Sequence, residues 1–144
     1  MAIPTGIPTS LALEIVTPDR AIVSQQVDEV ELPGADGYFG VLPGHAPLLA
    51  SLQVGEMWYR TGQERHYLAV AFGFAEVLPD RVTVLAQIAE RAQDIDVRRA
   101  EAAKQRAEER VARPQADMDF ERARVALMKA LIRLQVAERA RTRV

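Results

Sequence analysis

Two hydrophobic patterns divide the chain, and they meet between Glu90 and Ala100. Before this stretch, apolar and polar residues alternate in short runs that Gly or Pro interrupts, which is typical of strands joined by turns. After it, Ala, Arg, Glu and Leu recur at helical spacing. We therefore predict a β-domain over residues 1–93 and a helical domain over residues 94–144.

The β-domain contains many short segments of strand character, each followed by a turn signal. They span residues 11–17, 21–32, 38–42, 48–52, 56–60, 66–72, 74–78 and 82–88. Short strands with turns at nearly regular spacing predict an antiparallel β-sandwich or a flattened barrel.

The helical domain is predicted to form a two-helix antiparallel hairpin. Apolar spacing indicates one helix over about residues 96–112 and another over about residues 118–139. Asp94 or Asp96 can cap the first helix, because a short carboxylate accepts hydrogen bonds from the free N–H groups of a first turn. Pro114 interrupts the helical pattern and separates the two helices.

The second helix carries more apolar surface than the first can cover, since the apolar face of the first helix is mostly alanine. One stripe contains Phe120, Ala123, Leu127, Leu131 and Leu134, and the other contains Val125, Met128, Ile132 and Val136. A large apolar side chain contributes about 1.5–3 kcal/mol when it is fully buried. The hairpin is therefore expected to pack on the β-domain, on a partner protein, or on each in turn as a two-state element.

Charge also changes at the junction. Residues 1–93 hold five basic and eleven acidic residues, a net charge of −6, whereas residues 94–144 hold 13 basic and nine acidic residues, a net charge of +4. Basic side chains share a face on each helix, at Arg99, Arg106, Arg110 and Arg113, and at Arg122, Lys129 and Arg133. These stripes indicate an anion or an acidic partner, or else a solvated face.

Several classes of function are disfavoured. The chain has no cysteine, and its two histidines, His45 and His66, are far apart, so we expect neither a thiol nucleophile nor a metal site. The glycine-rich stretch 34–40 lacks a following Lys-Ser/Thr and leads into a strand, so it predicts a turn and not a phosphate loop. No catalytic residues are predicted. Nucleic-acid binding is disfavoured because the chain as a whole is acidic, with a net charge of −2, and membrane contact is expected only through a partner.

A resemblance to a known family rests on residues 32–49, which read Leu-Pro-Gly-Ala-Asp-Gly-Tyr-Phe-Gly-Val-Leu-Pro-Gly-His-Ala-Pro-Leu-Leu. This run resembles the glycine-rich loop and the Pro-Gly-His-Ala-Pro-Leu signature of the epsilon subunits of bacterial F-type ATP synthases. The opening Leu-Glu-Ile-Val-Thr-Pro-Asp-Arg, the later Val-Thr-Val-Leu-Ala and the junction Asp-Ile-Asp-Val-Arg-Arg-Ala also fit. The motifs appear in the family's order, so the resemblance covers residues 11–139.

The resemblance implies a sandwich of about ten strands followed by the two-helix hairpin. It also implies a non-catalytic rotor subunit of the central stalk, which binds the gamma subunit and the c-subunit ring and helps couple proton flow to ATP synthesis. The hairpin would extend into the alpha/beta catalytic head and inhibit ATP hydrolysis. The expected location is peripheral, on the cytoplasmic side of the cell inner membrane. Gly37 and Tyr38 would face the c ring, and His45 would lie near gamma.

The same resemblance implies ATP as a regulatory ligand, with no cofactor required. Some relatives bind ATP through an Ile/Leu-Asp-x-x-Arg-Ala pattern, which stands here as Ile95, Asp96, Arg99 and Ala100. Further positions carried over are Glu90, Arg106, Lys129 and Arg133. ATP-binding relatives have arginine where this chain has Lys129. A lysine ammonium is a point charge and lacks the planar guanidinium that can donate two parallel hydrogen bonds to a phosphate. Alternatively, Asp96 only caps a helix, Arg99 only pairs with a surface charge, and ATP does not bind. For the chain as a whole, the alternative functions are a standalone ATP-binding sensor and a structural adaptor.

Overall fold

The computed structural model describes residues 6–113 and 117–141, so the predicted helix break at Pro114 lies outside the described residues. The elements in chain order are β1 (Leu11–Val16), β2 (Ala21–Val27), β3 (Glu29–Gly34), β4 (Gly37–Val41), β5 (Leu48–Leu52), β6 (Gly55–Thr61), β7 (Glu64–Leu78), β8 (Arg81–Arg91), a 3-10 helix (Ala92–Asp94), α1 (Val97–Ala112) and α2 (Asp117–Arg141).

The β-strands form one hydrogen-bonded sheet that folds over a core. The strand order is β2-β1-β8-β7-β5-β3-β4, and β6 pairs with both β3 and β7. All of these pairs are antiparallel except β1 with β8, which run parallel. The predicted class, a β-sandwich followed by two helices, is confirmed. The described chain contains eight strands where the resemblance implied about ten.

Two strand divisions differ from the prediction, and other strand ends shift by at most three residues. The segment predicted over residues 21–32 divides at Asp28, whose carboxylate accepts a hydrogen bond from the Gly62 amide at 2.7 Å. The two segments predicted over 66–72 and 74–78 form one bent strand, β7. At Asp28 the chain changes partner strands, because β2 pairs with β1 whereas β3 pairs with β4, β5 and β6, and the Asp28 main-chain N–H donates to the Arg60 carbonyl of β6 at 2.8 Å.

The bend in β7 lies at Phe72 and Gly73, which have φ angles of 59° and 120°. Before the bend β7 pairs with β6, and after it with β5. At Gly73 an added Cβ atom would stand 2.0 Å from the carbonyl oxygen of Leu85 on β8. Only glycine fits this conformation and spacing, so the bend depends on the sequence at this one position.

The core confirms the predicted alternation. Leu11, Leu13 and Ile15 of β1 point inward and are fully buried, as expected for a strand with one face on a sandwich core. The other buried members include Val30, Leu32, Val41, Met57, Leu68, Val70, Val77, Val82 and Val84.

The two helices meet along a seam of alanines. The side chain of Asp96 accepts a hydrogen bond from the Arg99 amide at 3.1 Å, which confirms the predicted cap of α1. Buried alanines recur every seven residues along the seam, at Ala100 and Ala107 on α1 and at Ala123 and Ala130 on α2, and the next one, Ala137, packs on the β-domain. Small residues at this spacing let helices approach closely but bury little apolar area. The helix α1 therefore depends on α2 for its position.

Candidate functional site

The helix α2 packs on the outer face of β6, β7 and β8, and this docking surface is the candidate functional site. Its apolar centre is a small cluster in which Val136 and Ala137 of α2 pack with Ala69, Ala92 and Ile95. Partly buried side chains surround the cluster, at Tyr67, Val97, Ile132 and Ala140. The second predicted stripe thus packs on the β-domain through Ile132 and Val136. On the first stripe, Phe120 and Leu131 remain 36% and 45% exposed.

One ion pair joins α2 to β8 beside this cluster. The Nε atom of Arg133 lies 2.6 Å from Oε1 of Glu90, and each side chain is 29% exposed. One turn earlier on α2, the Nζ atom of Lys129 lies 5.6 Å from the centre of the Phe72 ring, at the bend of β7. Opposite charges at this distance and partial burial attract more strongly than a fully solvated pair. The sheet therefore orients both Lys129 and Arg133.

A second polar contact lies nearer the end of α2, at Glu56 of β6. Its carboxylate accepts hydrogen bonds from Arg139 Nε at 2.9 Å, from Arg139 Nη2 at 3.2 Å and from Gln135 Nε2 at 3.2 Å. The Arg139 guanidinium also stacks 4.7 Å from the centre of the Tyr67 ring. The hydrogen bond to Glu56 raises the pKa of Arg139 above its usual value. This bidentate arginine–carboxylate pair is directional as well as electrostatic.

The predicted ATP-binding residues fall into three groups. Glu90, Lys129 and Arg133 line one cleft between α2 and the sheet. Ile95 is buried in the apolar cluster, and Ala100 in the alanine seam. Asp96 caps α1, while Arg99 and Arg106 are exposed on α1 and have no carboxylate partner within residues 6–113 and 117–141.

The cleft at Glu90 and Arg133 is very small in this pose. Its volume is about 10 Å³, room for about one water molecule and far too little for a nucleotide. Any ligand at these side chains must either move α2 or bind outside the cleft. ATP binding at these residues stays a prediction.

The residues predicted to contact partners occupy both ends of β4. Gly37 and Tyr38 follow the tight turn between β3 and β4, where Gly37 has a φ of 132°. His45 lies in the loop after β4, with Nδ1 2.6 Å from the carbonyl oxygen of Ala46. A strand of five residues spans about 16 Å. Gly37 and Tyr38 therefore lie at one end of β4 and His45 beyond the other, and their contacts with partners stay predictions.

Sequence reasoning missed Glu56, Gln135 and Arg139. Glu56 lies opposite Ala69 in the β6–β7 pair, and Ala69 lies opposite Glu90 in the β7–β8 pair. The two glutamates therefore share one face of the sheet, beneath α2. Only the strand register shows this, because Glu56 and Arg139 are 83 residues apart in sequence.

Neither a metal site nor a membrane-spanning helix is present in the described part of the chain. Among residues 6–113 and 117–141, no group of His, Asp and Glu side chains is arranged to hold a metal ion. Neither helix, over the part of the chain that the structure describes, is long and apolar enough to cross a membrane.

Comparisons with known proteins agree with this architecture. The protein-family model for the β-sandwich domain of the ATP synthase delta/epsilon chain matches residues 10–92, and the family model for its long α-helix domain matches residues 93–138. The ATP synthase epsilon chain of Syntrophobacter fumaroxidans is 52% identical over 129 residues, covering 90% of this chain and 96% of the relative. That of Nitratidesulfovibrio vulgaris is 51% identical over 127 residues, covering 88% and 95%.

Solved structures share the fold at low sequence identity. A chain in the cryo-EM structure of the Euglena gracilis mitochondrial ATP synthase, OSCP/F1/c-ring, aligns with a TM-score of 0.79 at 20% identity, covering 97% of this chain and 86% of that one. A chain from the Tetrahymena thermophila mitochondrial ATP synthase, central stalk/c-ring, aligns with a TM-score of 0.56 at 12% identity, covering 95% and 100%. Since the two family models together span residues 10–138 and the curated relatives match over nearly their whole length, this chain belongs to the delta/epsilon chain family of ATP synthases.

Proposed function

We propose that this non-catalytic, epsilon-type subunit works in the central stalk of an F-type ATP synthase and that its hairpin regulates ATP hydrolysis. Residues 1–93 would bind the gamma subunit and the c ring, so that proton-driven rotation is coupled to ATP synthesis. Residues 94–144 would be the regulatory unit. Family membership and the central-stalk and c-ring titles of the solved structures that share its fold support the stalk assignment.

The docking of α2 is the observation that supports regulation. Its apolar centre consists mainly of alanines with Val136 and Ile95. In each of its two ion pairs the arginine remains partly exposed, Arg133 to 29% and Arg139 to 45%. Small apolar groups and partly exposed ion pairs each contribute modestly to stability. A hairpin held in this way can leave the sheet at moderate cost in free energy, and Phe120 and Leu131 already offer apolar surface to another partner.

Each proposed partner matches a surface of the chain. The exposed turn at Gly37 and Tyr38 would contact the c ring, and the loop at His45 would contact gamma. The basic face of α1, which includes Arg99 and Arg106, would meet acidic surfaces of the alpha/beta head when the hairpin extends. The subunit would then lie at the cytoplasmic side of the cell inner membrane and reach the membrane only through the complex.

Deleting the chain from Asp94 onward should raise ATP hydrolysis by the assembled enzyme, by about twofold or more. The deletion removes both helices and leaves β1–β8, whose core does not include the hairpin. The measurement is steady-state ATP hydrolysis by the complex reconstituted with full-length or shortened chain.

Co-purification with gamma is the control for that experiment, because a shortened chain that no longer binds the stalk would raise hydrolysis for a different reason. Both forms should bind gamma equally. Unchanged hydrolysis by a correctly assembled complex would show that the hairpin is not an inhibitor here. Failure of the full-length chain to bind gamma would contradict the stalk assignment itself.

The regulatory ligand proposed for the hairpin is ATP. Its phosphates would bind Arg133, Lys129 and the exposed guanidiniums of α1, replacing the Glu90 carboxylate at Arg133, and the released carboxylate would accept from the ribose or base. Because the cleft has room for only about one water molecule, ATP binding inside it requires α2 to shift. If ATP at tenfold its dissociation constant binds one hairpin pose alone, it stabilises that pose by about 1.4 kcal/mol. A change of this size shifts the population of the hairpin appreciably only if the docked and undocked poses have nearly equal free energies without ATP.

Replacing Arg133 or Arg99 by alanine should weaken ATP binding to the isolated subunit by about tenfold, because each change removes a charge-assisted hydrogen-bond donor to phosphate. Isothermal titration calorimetry on the full chain measures this affinity. Arg20→Ala, at an exposed position before β2, is the matched control and should bind ATP as the parent does. If the parent chain gives no binding heat, ATP is not a ligand.

A further inference from the structure

We propose that Glu56 links the exposed turn at Tyr38 to α2, so that a contact at this turn controls how firmly the hairpin docks. All contacts of this link lie within the one chain, so it can be studied without any partner. Only the identity of the partner that touches the turn, a c-ring loop, rests on the proposed function.

The first half of the link joins Tyr38 to the start of β6. The main-chain N–H of Glu56 donates a hydrogen bond to the Tyr38 hydroxyl oxygen at 3.1 Å. The preceding residue, Gly55, has no side chain, and a Cβ atom added there would lie 2.5 Å from the Tyr38 hydroxyl and 2.5 Å from Cβ of Pro33. The phenol therefore lies directly on the β6 backbone, while the residue as a whole is 51% exposed.

The second half of the link joins the Glu56 side chain to α2. This side chain is only 11% exposed, and among the described residues its hydrogen-bond donors are Arg139 and Gln135, both on α2. When α2 leaves the sheet, the carboxylate loses all three hydrogen bonds at once and must be solvated by water. Glu56 therefore responds to both sides, through its amide to the turn and through its carboxylate to the helix.

The strength of the Arg139–Glu56 pair depends on where the β6 backbone places the carboxylate. A bidentate arginine–carboxylate pair weakens steeply when distances or angles change, so a small displacement of the β6 backbone at Glu56 disturbs both bonds to Arg139. A partner that holds Tyr38 against Gly55 keeps the carboxylate in place and favours docking. A partner that draws Tyr38 away favours release. The other ion pair, Glu90 with Arg133, is anchored on β8 and has no such connection to the turn.

A single thiol beneath α2 measures docking directly. The chain has no cysteine, so Ala69→Cys introduces one thiol at a buried position that packs with Val136 and Ala137. Its rate of reaction with a thiol reagent reports how often α2 leaves the sheet. Ala75→Cys, in the core of the sandwich, is the control and reacts only when the whole domain opens.

The decisive test is a double-mutant cycle in the full-length Ala69→Cys chain. Arg139→Gln should raise the labelling rate by about tenfold, and Tyr38→Phe, which removes only the hydroxyl, should raise it by about threefold. Because both changes act through Glu56, the double variant should be labelled about tenfold faster than the parent, clearly below the product of the two effects.

The matched control cycle combines Tyr38→Phe with Arg133→Gln, which loosens the same helix through Glu90. These effects should multiply. The proposal is overturned if Tyr38→Phe leaves labelling unchanged, or if it multiplies with Arg139→Gln as it does with Arg133→Gln. The labelling experiment uses the isolated chain, so neither result bears on the proposed function. That function is tested separately by ATP hydrolysis and by co-purification with gamma.

Discussion

Replacing Gly73 by alanine should lower the free energy of unfolding of the chain by about 3 kcal/mol or more. The φ angle of 120° is one that side-chain-bearing residues rarely adopt, and the added methyl would meet the Leu85 carbonyl at 2.0 Å and the Ala86 Cα atom at 2.8 Å. Both obstacles are backbone atoms of the neighbouring strand, so β7 and β8 must separate locally. Chemical denaturation followed by circular dichroism measures the change.

Gly40→Ala is the matched control for this substitution. Gly40 lies on a strand, has no left-handed φ angle, and has open space where a Cβ atom would stand. Its replacement should shift the free energy of unfolding by less than about 0.5 kcal/mol. If both variants unfold at the same denaturant concentration, the bend in β7 does not require glycine. The bend also matters for docking, because it presents Phe72 to Lys129 of α2.

Reversing the charge of Arg133 should raise the fraction of chains in which α2 has left the sheet by about 30-fold, equivalent to about 2 kcal/mol. Arg133→Glu places two carboxylates together where the parent has an ion pair at 2.6 Å, and both side chains are too shielded to separate freely into water. The expected loss of docking free energy is smaller than for a fully buried pair, because each side chain is partly solvated. The labelling rate of the Ala69→Cys thiol provides the measurement.

Exchanging the charges tests whether the pair itself is responsible. Adding Glu90→Arg to Arg133→Glu restores opposite charges across the same gap, and labelling should return to within about threefold of the parent rate. Arg122→Glu, an exposed position on the same helix, should have little effect. If the exchanged pair remains as open as the single variant, local packing and not charge holds this part of α2.

Local features of the fold were predictable from the sequence, because they depend on neighbouring residues. Alternation in Leu11, Leu13 and Ile15 predicted a strand with one buried face, and Asp96 predicted the start of α1 to within one residue. The parallel pairing of β1 with β8 was not predictable. It joins strands about 70 residues apart, and hydrophobic alternation specifies a buried face without specifying a neighbour.

The docking site was predictable only in part, for the same reason. The resemblance supplied Glu90, Lys129 and Arg133, which the structure brings to one cleft. Helical spacing also showed that α2 has surplus apolar surface. The Glu56–Arg139 contact depends on the register of β6 against β7 and on the direction in which α2 crosses the sheet, and neither is encoded in a local motif.

The alanine seam between α1 and α2 has a kinetic consequence. Methyl groups interlock much less deeply than leucine or isoleucine side chains, so two helices that meet through them can slide along each other without large side chains having to pass. Separation also exposes little apolar area, which keeps the activation barrier low. The hairpin can therefore adjust the register between its two helices faster than a hairpin held by interdigitating large side chains could.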